Sequence, residues 1–162
     1  MPLAIRVFHP ADFETLWRID QECFPPGISY SRRELKSYVT DSRSFTLVAS
    51  EGREKDVVRG FIVANLGPVG HIITIDVVPA HRRNGVGSLL LQAAEKRLRE
   101  ASSSAVRLET AVDNLDALSF YKRHSYNVIG TRPRYYPNGV DALVLTKDLA
   151  SGSPEASAAT KD

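Results

Sequence analysis

Cysteine is almost missing from this 162-residue chain. Only Cys23 is present, so no internal disulfide framework can form, and a reducing, cytoplasmic setting is expected. An excess of one charge is missing too. The 21 Lys and Arg stand against 19 Asp and Glu, a net +2, which gives no electrostatic case for a nucleic-acid partner. No run approaches the roughly 20 apolar residues that cross a bilayer, and the N-terminal residues hold no apolar core of signal length, so no membrane role is expected. The four histidines, His9, His71, His81 and His124, form no pair at metal-ligand spacing. They read as surface or loop residues, and no metal is expected. No internal repeat is visible.

What is present is 43% hydrophobic residues, enough to fill one core. Residues 1–149 read as one domain. From Ala150 onward Ser, Ala, Gly and Pro dominate without a large apolar side chain, so 150–162 is expected to be a disordered tail.

The element order reads βααβββαβαββ. Ala4 to Phe8 form a first strand, and Phe13, Leu16, Trp17 and Phe24 recur at helical spacing until Pro25-Pro26-Gly27 stops the helix. Ser31 followed by Glu34 predicts a capping box for a second helix through about Thr40. Ser44–Ser50 and Val57–Leu66 read as a hairpin around the charged turn 51–56. Val69–Val78, rich in Ile, Val and Thr, reads as a strand buried on both faces and closed by Pro79. Gly87, Leu90, Leu91, Ala94, Leu98 and Ala101 mark one face of the strongest helix. Ala105–Val112 is then a strand, Leu115–His124 a helix, and Tyr126–Arg134 and Val140–Leu149 the last two strands.

Between the long strand and the strong helix lies Val78-Pro79-Ala80-His81-Arg82-Arg83-Asn84-Gly85-Val86-Gly87-Ser88. A helix N-terminus offers backbone N–H groups without intrahelical partners, and glycines let phosphate oxygens approach that backbone. An anion is expected there, with Arg82 or Arg83 adding charge-assisted bonds worth about 1.5–3 kcal/mol. Spacing decides which anion motif this is. A dinucleotide fingerprint needs a third glycine where Leu90 stands, and a Walker loop needs Gly-Lys-Ser/Thr where Gly87-Ser88-Leu89 stands.

The pattern Arg-x-x-Gly-x-Gly at Arg82, Gly85 and Gly87 resembles the GNAT superfamily of N-acetyltransferases, and the element order agrees with that family. The resemblance implies an α/β fold with a mixed sheet of about seven strands, splayed at its centre and flanked by about four helices. It implies acetyl-CoA as co-substrate, its pyrophosphate in the loop formed by Arg82, Arg83, Asn84, Gly85, Val86, Gly87 and Ser88. The pantetheine arm is then expected against the backbone of Asp76, Val77 and Val78, added like a strand.

The stretch from Leu108-Glu109-Thr110 through Asn114 to Tyr121 resembles a segment of the ribosomal-protein alanine N-acetyltransferases. On that resemblance Glu109 is the general base acting through a water, Tyr121 the general acid for the departing thiolate, and Asn114 a contact to pantetheine. A phenol near pKa ~10 keeps its proton at neutral pH yet can yield it to a thiolate. Asp76 is the rival base. Cys23 reads as core, so direct transfer is expected rather than an acetyl-enzyme.

Two further segments, Cys23-Phe24-Pro25 with Tyr30-Ser31, and Tyr135-Tyr136 with Asp141-Ala142, resemble the acceptor-flanking segments of the same enzymes. They make Phe24, Tyr30, Tyr135 and Tyr136 candidates for the acceptor groove. Here Tyr30 stands where those enzymes carry Trp, Ala111 where they carry Arg, and Ser125-Tyr126 where they carry Gly-Phe. The expected acceptor is a primary amine, first the N-terminal α-amine of a protein or peptide, with the enzyme a monomer or homodimer. An α-amine near pKa ~7.8 is far more often neutral than a lysine near ~10.4, so it asks less of a base. A small-molecule amine or a lysine is the alternative acceptor, and a non-catalytic acyl-CoA sensor the alternative of another class.

Overall fold

The computed structural model describes residues 3–52 and 55–149; the expected tail, 150–162, lies outside the described residues. The described chain runs β1 (Leu3–Val7), α1 (Phe13–Cys23), α2 (Arg32–Thr40), β2 (Ser44–Glu51), β3 (Val57–Asn65), β4 (Val69–Val77), α3 (Val86–Glu100), β5 (Ala105–Ala111), α4 (Leu115–Arg123), β6 (Asn127–Arg132) and β7 (Ala142–Asp148). Local chemistry sets several of these ends. Ser31 Oγ accepts the Glu34 N–H at 3.1 Å while Glu34 Oε1 accepts the Ser31 N–H at 2.9 Å, so the predicted capping box opens α2. Pro10 starts a short 3-10 turn, Pro10–Asp12, that feeds α1.

The strands form one seven-stranded sheet in the order β1-β2-β3-β4-β5-β7-β6. Every neighbouring pair is antiparallel except β4 and β5, which α3 joins as a parallel pair. Helices cover both faces. On one, Leu90, Leu91, Ala94 and Leu98 of α3 pack with Phe45, Leu47, Ile62 and Ile72, and with Tyr121 and Tyr126. On the other, Phe13, Leu16 and Ile19 of α1 and Leu35 of α2 pack with Val48, Phe61 and Val63. Each such leucine contributes about 1.5–3 kcal/mol by leaving water.

Two features place a site at the centre of the sheet. First, β4 and β5 pair only over Val69–His71 against Ala105–Arg107. Beyond that point they part, and their facing backbone edges are free of each other. Second, β3–β4 pairing passes from Val63 opposite Thr74 to Ala64 opposite Ile72, which leaves Ile73 as an extra, bulged residue. A one-residue slip exchanges the faces of a strand. Ile73 therefore packs on the α1 side, as Thr74 and Asp76 then do, while Ile75 and Val77 join the α3 side.

The expectation that β4 is buried on both faces needs correction. From Gly70 on its residues alternate between buried and half-buried, because the splay leaves an open cleft beside it; β2 and β3 are the strands buried almost throughout. β6, at the sheet edge, is exposed along its whole length. Tyr126, read as its first residue, instead sits buried before it, where its hydroxyl donates to Glu95 Oε2 at 2.7 Å.

Candidate active site at the splay

The loop before α3 differs from the starts of α2 and α4. α2 and α4 are capped by side chains, Ser31 and Asn114, but the N-cap of α3 is Gly85, which has none. The first-turn N–H groups of Val86, Gly87 and Ser88 therefore lack both an intrahelical acceptor and a side-chain cap, which suits an anion. Gly85 takes φ +83° with open space around its missing Cβ, whereas a Cβ on Gly87 would lie 3.2 Å from the Phe120 ring. The second glycine thus lets α4 close against α3. Arg82 donates from Nε to Val77 O at 3.3 Å, and Arg83, itself at φ +66°, extends into solvent toward Asp116. Ser88 Oγ shares a 2.9 Å hydrogen bond with His124 Nε2 at the end of α4.

On the opposite face, Glu109 of β5 is held by two partners. His71 Nε2 donates to its Oε1 at 2.7 Å and Arg107 donates to its Oε2 at 2.8 Å. Burial alone would raise this carboxyl, but the hydrogen bond and field of His71, with the charges of Arg107 and Arg132, carry it below the ordinary glutamate value. It is an ionised carboxylate at neutral pH. Asp76, the rival base, is the reverse case. It is 1% exposed, and burial together with the neighbouring Asp20 pushes its carboxyl well above the usual range. Its burial favours the protonated form, which makes it the poorer proton acceptor of the two carboxyls.

Tyr121 lies on α4, buried on the α3 face, with its ring edge-on to Phe120 and Tyr126. Among the described residues its hydroxyl makes no hydrogen bond, and burial, followed by the fields of Asp76 and Tyr136, pushes the phenol up. Cys23, read as core, is half-buried and lines the cleft. Its thiol donates to Val77 O at 3.3 Å and is raised to about 11, by burial first and the field of Asp76 second, so it is no ready nucleophile.

These groups border one cleft of about 940 Å³ that runs between β4 and β5 from face to face. Of the residues singled out in the sequence, Phe24, Tyr30, Val77, Arg82, Arg83, Gly85, Gly87, Ser88, Glu109, Asn114, Tyr121 and Tyr136 form its wall. Four do not. Val78 spends its N–H on Arg59 O at 2.9 Å, Val86 turns its side chain into the core, Asn84 stays outside, and Tyr135 packs edge-on against Tyr136 from the solvent side.

The reading of all four histidines as surface or loop residues fails at His71, which sits on β4 and pairs with Glu109. Asp20 was missed as well, although a signal existed: it falls among Leu16, Ile19 and Cys23 at helical spacing, a carboxyl inside an apolar stripe. It is fully buried.

The model of the Acetyltransferase (GNAT) family matches residues 13–126. The chain belongs to this family. Among GNAT relatives, the N-alpha-acetyltransferase of Sulfolobus acidocaldarius is 29% identical over 157 residues, covering 90% of this chain and 92% of that protein. The N-alpha-acetyltransferase daf-31 of Caenorhabditis elegans is 26% identical over 161 residues, covering 93% and 85%. Other relatives are longer: the chain spans 41% of the uncharacterised protein ML0378 of Mycobacterium leprae, to which it is 30% identical. The chain superposes on the crystal structure of Ard1 from Thermoplasma volcanium with a TM-score of 0.82 at 28% identity, covering 91% of this chain and 98% of that one. No helix among the described residues is long and apolar enough to cross a membrane.

Proposed function

We propose that this chain transfers an acetyl group from acetyl-CoA to the N-terminal α-amine of a protein or peptide, in a reducing cytoplasm that suits its single free thiol. One observation carries the reading. The cleft passes through the sheet, with an uncapped, arginine-flanked helix start on one face and an ionised, half-shielded carboxylate on the other. The relatives named N-alpha-acetyltransferase that align over most of both chains support the choice of acceptor.

The residues fit the co-substrate. Arg82, Arg83 and the N–H groups of Val86, Gly87 and Ser88 would hold its pyrophosphate, and the free edges of β4 and β5 would hold its arm, with Val77 and Asn114 at the wall. Acetyl-CoA supplies an activated thioester carbonyl. Glu109 takes the proton of the incoming ammonium through a water, and His71 and Arg107 keep its carboxylate aimed and ionised. Tyr121 keeps its proton at neutral pH and delivers it to the leaving thiolate. Phe24, Tyr30 and Tyr136 shape the acceptor side.

The test is mass spectrometry of peptides incubated with the protein and acetyl-CoA. Peptides with free Ala or Ser termini should gain one acetyl group, while N-terminally blocked peptides carrying an internal lysine should not. Acetylation confined to the lysine peptide overturns the reading.

A further inference from the structure

Two carboxyls lie buried beside this site, and the acetyl-transfer steps use neither. Asp20 of α1 and Asp76 at the end of β4 are 0% and 1% exposed, and they are within hydrogen-bond reach of each other. Each has one oxygen that is fully committed. Asp20 Oδ2 accepts the Tyr30 N–H at 2.7 Å, and Asp76 Oδ1 accepts the Thr74 hydroxyl at 2.5 Å. Each also has one buried oxygen without a hydrogen-bond partner, Asp20 Oδ1 and Asp76 Oδ2. Two adjacent carboxylates cannot both stay ionised away from water, and two orphaned acceptors cannot satisfy each other. A single proton answers both requirements.

We infer that Asp20 and Asp76 share one proton, and that this bridge is the clasp that fixes the acceptor-side loop, residues 24–31, against the bulge of β4. The proton resides on Asp76 Oδ2 and is donated to Asp20 Oδ1. Asp20 then passes the constraint to Tyr30, whose other polar atoms are also tied: its carbonyl accepts Trp17 Nε1 at 3.1 Å and Gln21 Nε2 at 2.7 Å, and its hydroxyl donates to the carbonyl of Ile73 at 3.3 Å. Ile73 is the bulged residue itself. Asp20 and Asp76 are thus positioning residues, acting through Tyr30 on the acceptor wall. The ionisable groups facing the pair are Cys23 on α1, Glu34 on α2, Tyr30 in the loop, Arg82 before α3 and Tyr121 on α4.

Amide substitutions test this because the committed oxygens dictate how an amide must sit. In Asp76→Asn the amide oxygen must serve Thr74, so its N–H₂ faces Asp20 and keeps a bridge. In Asp20→Asn the oxygen must serve the Tyr30 N–H, so the N–H₂ faces Asp76 and again keeps one. In the double variant two N–H₂ groups face each other. Both single variants should therefore fold, and the double variant should melt roughly 5 °C below the sum of their effects. It should also raise KM for the peptide acceptor more than it lowers kcat.

Infrared spectroscopy of the wild type at neutral pH should show the carbonyl band of one protonated carboxylic acid that Asp76→Asn removes. The wild type should also lose stability as pH rises from the unfolded aspartate range, since its folded pair retains a proton the unfolded chain gives up; Asp76→Asn should not. Additive losses in the double variant, or no such band, overturn the bridge. The KM readout rests on the N-terminal acetyl-transfer reading, whereas the band and the melting temperatures need no acceptor, so the two failures are distinguishable.

Discussion

His71 and Glu109, 38 positions apart in sequence, meet in a 2.7 Å hydrogen bond beside the point where β4 and β5 stop pairing. On the proposed mechanism, replacing Glu109 by Gln removes the proton acceptor and should lower kcat/KM by about 10²–10⁴-fold. Replacing His71 by Phe should act differently. Without its hydrogen bond, burial raises the Glu109 carboxyl, so the acidic limb of the pH–kcat/KM profile should move to higher pH. The same pair stabilises the fold above the ordinary glutamate pKa, a contribution lost as pH falls through the lowered value. A profile unchanged by His71→Phe would show that the two side chains are not coupled.

Tyr121→Phe deletes only a hydroxyl that, among the described residues, bonds to nothing, while its ring contacts with Phe120 and Tyr126 remain. The melting temperature should stay near the wild type. Rapid-mixing measurements of acetyl transfer should show kcat down by about 10²-fold, with coenzyme affinity retained. A stable, fully active Tyr121→Phe would remove this residue from the chemistry.

The two glycines of the loop before α3 should respond in opposite ways. Gly85 has room for a Cβ but sits at φ +83°, so Gly85→Ala should cost about 1 kcal/mol of stability. Gly87 has helical geometry but lies against Phe120, so Gly87→Val should displace α4 from the loop. Calorimetric titration with coenzyme A should then show affinity reduced about tenfold or more, the worth of one charge-assisted hydrogen bond.

Cys23→Ala should leave turnover within a few-fold of wild type, because the thiol is raised to about 11 and already donates to Val77 O. Loss of activity on that substitution, with an acetylated Cys23 in the intact-mass spectrum of the wild type, would replace direct transfer by a covalent route.

One more buried group, on α3, bears on stability. Glu95 accepts from Tyr126 at 2.7 Å and from Lys147 at 3.0 Å beneath α3. Tyr126→Phe leaves one of its oxygens short of a donor and should cost about 1–3 kcal/mol in denaturant titrations, with little change in the pH profile of activity.

Much of this was legible from residues close together in the chain. The Ser31–Glu34 box, the apolar stripe of α3, the hairpin of β2 and β3 and the Arg82–Gly87 loop each act through neighbours a few positions apart, so their spacing alone specified them. The β4–β5 splay left no such trace, because it depends on which strands fail to pair. The bulge at Ile73 was equally silent: it is set by the register of β3 against β4, and it alone turns Asp76 toward α1 rather than α3.

What the amino-acid order determined by itself was the succession of elements, the glycine turn before α3 and the placement of Glu109 on β5 and Tyr121 on α4. What only the tertiary structure decided was the company those groups keep. His71 became the partner of Glu109 and Asp20 the partner of Asp76 because packing two helical layers on a splayed sheet brought together residues far apart in the chain. A carboxyl's charge depends on its burial and its neighbours, and those exist only once the chain is folded.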